Sequence, residues 1–335
     1  MVLKNYRTLS TTQNYTGTAA TQTLDLPRDF LLQRIKLDWT GLITPSGTSV
    51  LVTDGLLRCI SNIRIKAVGE GSSRTIFEVS GRDLYYLNNW DYSTPASSLV
   101  RPTASGVAAT AQTGWVIDFR VNKQDPDDYS VAIPSYLLST LQLEVEYAAF
   151  NATNYGTNFG TVDMDLTVTL IEGIPEANEN FSSNPLMTVL TKQLSGDTST
   201  GSDETFNTYF QVGALIRRSF LCAETSAGVR SDTEVNSFSV TSGTIPLMSE
   251  INWFANKQKD VVNYRISDDI DGNWTVAGYT MIDFANNMSP FIATASGLKI
   301  DGLSTVGYNT GDLNFLANKA NASSILRRVQ ETVEG

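Results

Sequence analysis

Residues 63–90 read IRIKAVGEGSSRTIFEVSGRDLYYLNNW, and their change of period decides the fold. Ile63 to Val68 forms one strand, Gly69-Glu70-Gly71 the turn, and Thr75 to Val79 the return strand. Gly81 to Trp90 then reads as a helix carrying aromatic side chains. The same order recurs in the second half. Phe238 to Val240, Ser242-Gly243, Thr244 to Leu247 and Ser249-Glu250-Ile251-Asn252-Trp253-Phe254-Ala255-Asn256-Lys257 again make a hairpin that leads into an aromatic-bearing helix, so Trp90 is matched with Trp253.

Working outward from this unit extends the repeat. Upstream, Leu31-Leu32-Gln33-Arg34 falls on Leu215-Ile216-Arg217-Arg218, and the Ser/Thr-rich stretch from Leu9-Ser10 falls close to the one from Leu194-Ser195. Downstream, Val116-Ile117-Asp118-Phe119 matches Met281-Ile282-Asp283-Phe284, and Leu141-Gln142-Leu143-Glu144-Val145 matches Leu298-Lys299-Ile300-Asp301. Both pairs alternate apolar with polar, as strands with one buried face do. Last come Leu166 to Leu170 and Ile325 to Val333. Two unrelated sandwiches would also show strand-like matches, but shared order favours a duplication. Gly173-Ile174-Pro175-Glu176-Ala177-Asn178-Glu179-Asn180 breaks the patterning, which predicts domains at residues 1–178 and 179–335, the first beginning with an N-terminal arm.

Composition agrees. A chain of 335 residues is too long for one typical core and suits two. Short apolar segments separated by Gly, Ser, Thr, Asn and Asp are the pattern of all-β sandwiches. With 24 Lys+Arg against 35 Asp+Glu the net charge is −11, which repels phosphate and argues against direct nucleic-acid binding. The N-terminus MVLKNYRTLSTTQNYTG lacks the apolar core of a signal peptide, and no run reaches the roughly 20 apolar residues of a membrane span, so the chain reads as a soluble product of the cytoplasm. Cys59 and Cys222 lie in apolar segments of different halves and read as buried free thiols, a disulfide being the alternative.

The chain has no histidine, which removes the commonest general base and metal ligand and every Ser-His or Cys-His nucleophile. Glycine patterns contain neither a GxxxxGK[ST] nor a GxGxxG opening a helix. Asp268-Asp269-Ile270-Asp271-Gly272 invites a calcium reading, but an EF-hand frame puts Ser267 first and Gly278 where a bidentate Glu is needed. A solvated turn is the better reading, an irregular cation site at Asp268, Asp269 and Asp271 the alternative. Asp125-Pro126-Asp127-Asp128 reads as a surface turn, and Trp39, Trp115 and Trp253 as core. No catalytic, cofactor-binding or metal-ligating residue and no cofactor is predicted.

Two tandem eight-stranded jelly-roll sandwiches with short inserted helices, all-β throughout, resemble the double jelly-roll major capsid proteins of the tectivirus and adenovirus lineage. Among these, the chain is similar to those of tailless icosahedral bacteriophages or archaeal viruses. The resemblance covers the whole chain and rests on architecture and order, without a diagnostic short motif. It implies a structural, non-enzymatic subunit of the virion, made in the host cytoplasm. Three copies would form a homotrimer of pseudo-hexagonal outline that packs against neighbouring capsomers. Minor or vertex capsid proteins and an internal membrane beneath the shell are further partners that the family admits. Polar, weakly charged loops such as Asp91 to Gly114 and Asn151 to Gly160 would clasp a neighbour or form an outer tower, or else be simply mobile. The segment from Met1 to about Thr23 would be an inter-subunit arm, the alternative being a frayed terminus. A carbohydrate- or receptor-binding jelly roll of a spike or adhesin shares these strands and loops. A sandwich-type glycan hydrolase or lyase, using acid or Tyr/Lys/Arg chemistry, is the third reading.

Overall fold

A computed structural model describes residues 2–9, 13–69, 72–93, 99–100, 102, 106–120, 122–123, 125–175, 188–197, 215–242, 245–264, 266, 276–283, 313–320 and 323–334. The chain divides into two compact units, Met1–Thr188 and Val189–Gly335. Residues 176–187, which take in Glu176 to Asn180 of the expected junction, lie outside the described residues, as do Asp268, Asp269, Asp271 and the segment 298–301, whereas Gly173 to Pro175 still belong to a strand.

Unit 1 runs β1 (Val2–Thr8), β2 (Gln13–Tyr15), β3 (Ala20–Asp25), β4 (Leu31–Leu51), α1 (Gly55–Arg58), β5 (Ile60–Gly69), β6 (Ser72–Val79) and α2 (Gly81–Tyr92). There follow β7 (Ala109–Asp118), β8 (Ile133–Pro134), β9 (Thr140–Tyr147) and β10 (Gly156–Pro175). One sheet has the order β1-β10-β4-β7, with β2 on β10 and β8 on β4, and the other the order β6-β5-β9-β3. The strands alternate as the sequence predicts, so Leu141, Leu143, Val145 and Tyr147 of β9 all point inward and are buried. Between the sheets sits an aromatic cluster in which Trp39 lies 6.1 Å from Trp115 and 6.2 Å from Tyr147, while Tyr15 stacks on Tyr147 at 5.0 Å. Trp39, Trp115 and Trp253 are core residues, as expected.

Unit 2 runs β11 (Thr188–Asp197), β12 (Leu215–Glu224), β13 (Val235–Ser242), β14 (Ile245–Asn252), α3 (Trp253–Tyr264), β15 (Tyr279–Asp283), β16 (Leu313–Lys319) and β17 (Ile325–Glu334). Its strands are ordered β15-β12-β17-β11 and β14-β13-β16. Leu221, Phe238, Val240, Trp253, Ile282, Phe315 and Leu326 bring both series and α3 into one core. Each unit is therefore an antiparallel two-sheet sandwich with an inserted helix.

Register carries the internal repeat further than sequence matching does. In unit 1 β4 lies between β10 and β7, with Arg34 opposite Asp118, Ile35 opposite Ile117 and Lys36 opposite Val116. In unit 2 β12 lies between β17 and β15, with Arg218 opposite Asp283, Ser219 opposite Ile282 and Phe220 opposite Met281. Two segments matched independently by sequence are thus partners in the same register in each unit.

The helices correct one match. α2 and α3 are each 12 residues long, and the residue before each caps it: the Ser80 hydroxyl accepts from the Asp83 amide, and the Asn252 side-chain oxygen from the Ala255 amide, both at 3.2 Å. This equivalence pairs Gly81 with Trp253 and Trp90 with Val262, not Trp90 with Trp253. Ser249 to Asn252, expected within the helix, still belong to β14, which Asn252 ends by turning its side chain to the cap. Asn151 to Gly160 also differs from the expected loop. The Asn151 side chain closes a tight turn on the amides of Thr153 and Asn154, and Gly156 already begins β10, paired with Leu51 of β4. Ala109 to Gly114 likewise belong to β7.

Candidate functional site

Buried ionisable side chains gather where the helices dock, and their arrangement there is structural. In unit 1 the Tyr92 hydroxyl donates to Asp118 Oδ2 at 2.5 Å, and Arg120 donates to the same carboxylate from its backbone amide at 2.9 Å and from Nη2 at 2.6 Å. Lys123 Nζ reaches the Asp118 carbonyl at 2.6 Å. Burial pushes the Asp118 carboxyl up, but Lys123, Arg120 and Tyr92 together outweigh it and hold it below the ordinary value. The Tyr92 hydroxyl is driven well above its ordinary value by burial and by the Asp118 charge.

Unit 2 repeats the contact. Tyr264, the last residue of α3 as Tyr92 is of α2, donates to Asp283 Oδ2 at 2.8 Å. Four residues earlier in each helix a side-chain oxygen receives the amide two residues before that aspartate: Asn88 from Val116 at 2.8 Å, Asp260 from Met281 at 2.7 Å. The Asp118 carboxylate is 1 % exposed and saturated by donors, a poor position for an acid or base that must meet substrate. Its occurrence in both units marks it as the pin that fixes each helix to its strand.

Surfaces offer more. Strand β1 forms one edge of its sheet, and Leu3 and Tyr6 are 56 % and 63 % exposed on it. It is held to β10 in unbroken register from Val2 opposite Pro175 to Thr8 opposite Thr169. The N-terminal segment, expected to be an inter-subunit arm or a frayed end, begins as an ordered strand paired on its own unit. Such an edge is a ready template for pairing with another chain. The Asp125–Asp128 turn is as expected and also braces this strand: Asp127 pairs with Lys4 at 2.7 Å, and the Pro126 and Asp128 carbonyls accept from Gln33 Nε2 at 3.1 and 2.9 Å.

Next to β1 lies a cleft of about 710 Å³, lined by Leu9, Leu24, Leu26, Tyr136, Leu138 and Leu141 among others. The Arg28 guanidinium on its wall donates to the Leu138 and Ser139 carbonyls. Sequence patterning missed both cleft and edge, because Leu9 after β1, Leu24 in β3 and Tyr136 in the short turn after β8 converge from separate parts of the chain.

Among the described residues no group of three or more Cys, Asp or Glu side chains could hold a metal ion. Cys59 and Cys222 are buried free thiols, and burial pushes the Cys59 thiol up to about 12. No helix of the described residues is long and apolar enough to cross a membrane.

No family model matches the chain, and no curated protein matches it in sequence. Solved structures do. The major capsid protein of Sulfolobus turreted icosahedral virus matches with a TM-score of 0.71 at 14% identity, over 99% of this chain and 97% of that one. VP54 of PBCV-1 matches with a TM-score of 0.62 at 11% identity, over 99% and 94% of the two chains. The major capsid protein P2 of bacteriophage PM2 gives 0.56 at 12% identity, over 99% and 98%. These likenesses establish the fold as a double jelly roll.

Proposed function

We propose that this chain is the major capsid protein of an icosahedral virus and acts through its interfaces rather than as an enzyme. One observation carries the reading: each of the similar structures is matched over nearly its whole length, so both units and their order are shared, not a single sandwich. A jelly roll alone would support little, since one fold hosts many functions. Two internally repeated sandwiches in each of three subunits give six similar faces, and a trimer of pseudo-hexagonal outline tiles a curved lattice. In this reading the jelly rolls occupy residues 1–178 and 179–335, and the partners are further copies of the chain and neighbouring capsomers, with minor or vertex proteins and an internal membrane beneath. The open edge of β1, with Leu3 and Tyr6 outward, suits contact with a neighbouring subunit.

Light scattering and negative-stain microscopy of the purified chain test the proposal. Trimers with pseudo-hexagonal outlines, or closed shells, are expected. A chain that stays monomeric at micromolar concentration and never assembles overturns it. Binding of glycans with a defined stoichiometry would instead favour a carbohydrate- or receptor-binding protein.

A further inference from the structure

Strand β1 is held in an unusual way. None of its seven side chains is fully buried, so apolar burial adds little to its attachment. Beyond the ladder to β10 it has an ion pair from Lys4 to Asp127, whose side chain is 75% exposed, and an exposed hydroxyl contact between Thr8 and Thr169. Exposed pairs of this kind contribute about 0–1 kcal/mol. Arg7 adds a pair with Asp29 at 2.7 Å and lies 5.5 Å from the centre of the Phe30 ring. The most buried tie is Glu172 of β10, directly opposite Asn5. Its side chain is 0% exposed; Oε2 accepts from Asn5 Nδ2 at 3.0 Å and from Arg7 Nε at 3.1 Å. Its other oxygen, Oε1, is buried with no hydrogen-bond partner.

A buried carboxylate with one oxygen unpaired is costly when ionised and much less so when protonated. The charge that opposes this cost is shared. Arg7 Nη1 pairs with Asp29 at 2.7 Å, so one guanidinium serves two acids. From β4 the residue opposite Glu172 is the uncharged Leu32. Arg34 lies opposite the adjacent Ile171, and Lys4 with its partner Asp127 belongs to the other face of β1, by strand alternation. Glu172 thus faces one cation, one amide and, through that cation, one further acid. Because β10 is also paired with β4, Glu172 stays in the sheet when β1 leaves and becomes accessible to water.

We infer that β1 is a detachable strand whose docking is coupled to proton binding at Glu172: the protonated carboxyl keeps the strand on β10, and ionisation favours its release. The direction follows from linkage. Burial pushes the Glu172 carboxyl up, Arg7 and Asn5 pull it down and Asp29 pushes it up, leaving it above the ordinary value. With β1 gone the carboxyl returns to that ordinary value. The docked state therefore binds the extra proton, and docking is full below the ordinary value and weakens as pH rises through the docked one. This device belongs to the isolated chain and holds whether or not the chain builds a shell.

Hydrogen exchange read by mass spectrometry from about pH 4, below the ordinary carboxyl value, to about pH 8.5, corrected for intrinsic exchange, tests it on the full chain. Protection of residues 2–8 should fall severalfold as pH rises, while the β4–β7 ladder keeps its protection. Glu172→Gln keeps an acceptor for Asn5 and removes the ionisation, so residues 2–8 should stay at the low-pH level throughout. Asp29→Asn leaves Arg7 wholly to Glu172 and should move the wild-type transition to lower pH. Protection of residues 2–8 that ignores pH in the wild type overturns the inference, as does a Glu172→Gln chain that keeps the wild-type slope. If Glu172→Gln loses the β4–β7 protection and so fails to fold, the Asp29→Asn chain decides: a transition that does not move also overturns it.

Discussion

Helices α2 and α3 start on the same kind of cap, run the same length and end on the same tyrosine-to-aspartate hydrogen bond, yet their surroundings are opposite. Every residue of α2 from Gly81 to Asp91 is buried. α3 buries Trp253, Asn256, Lys257, Asp260 and Tyr264 and leaves Phe254 and Val262 53% and 77% exposed. In unit 1 the connection after β4 forms α1, and Asp54 just before it accepts from the Tyr86 hydroxyl of α2 at 2.7 Å. The corresponding connection of unit 2 has no helix. Its Asp232 holds α3 by accepting from Trp253 Nε1 at 3.0 Å and Lys257 Nζ at 2.5 Å.

The indole has also changed sides. β7 carries Trp115, which donates to the Gly81 carbonyl at 2.6 Å, while the equivalent strand position of unit 2 is Thr280 and the equivalent helix position is Trp253. Gly81 has no room for more: an added Cβ would lie 2.9 Å from Ile60 Cβ. The docking geometry is kept between units while the bulk that fills it is redistributed. A close-packed interior allows such exchange when total volume is conserved.

Three sets of substitutions break or sharpen this comparison. The largest effect is expected at the pins. Asp118→Ala strands Arg120 and Lys123 in a buried site and should cost about 3–5 kcal/mol. At the half-buried equivalent, Asp283→Ala should cost about 1–3 kcal/mol, both read from denaturant unfolding followed by tryptophan fluorescence. Equal losses would mean that the Asp118 cluster adds nothing to the shared pin. Next, Trp90→Ala should cost about 3–5 kcal/mol by the cavity it leaves, whereas Val262→Ala at the equivalent helix position should stay within about 0.5 kcal/mol. A large loss at Val262 would show that its face of α3 is covered in solution. The smallest is Gly81→Ala, where the methyl group must displace Ile60 and should cost about 1–3 kcal/mol despite the gain in helix propensity. A more stable Gly81→Ala chain, seen as a raised thermal midpoint, would show that this contact relaxes freely.

Much of the helix and strand content was legible because it is written locally. Alternation in Ile63 to Val68 and in Leu141 to Val145 fixes which face is buried, and the hairpin expected there is seen in the pairing of Gly69 with Ser72. The matched tetrapeptides around Arg34 and Arg218, and around Asp118 and Asp283, turned out to lie opposite one another on neighbouring strands. The pairing of Trp90 with Trp253 failed because it followed residue type, while the packing had moved the indole from strand to helix. The Glu172 tie was illegible for a related reason: its partners Asn5 and Arg7 stand more than 160 residues away in sequence, where no local period reports them.

By itself the sequence determined two antiparallel sandwiches in tandem, each with a helix after an early hairpin, because hydrophobic period and turn chemistry act between near neighbours. Only the tertiary structure decided which aspartate each helix meets, where the cleft beside Leu9 opens, and that β1 closes back on β10 over a buried carboxyl. Those outcomes depend on contacts between distant residues, whose free energy is set by burial and hydrogen-bond geometry once the sheets have assembled.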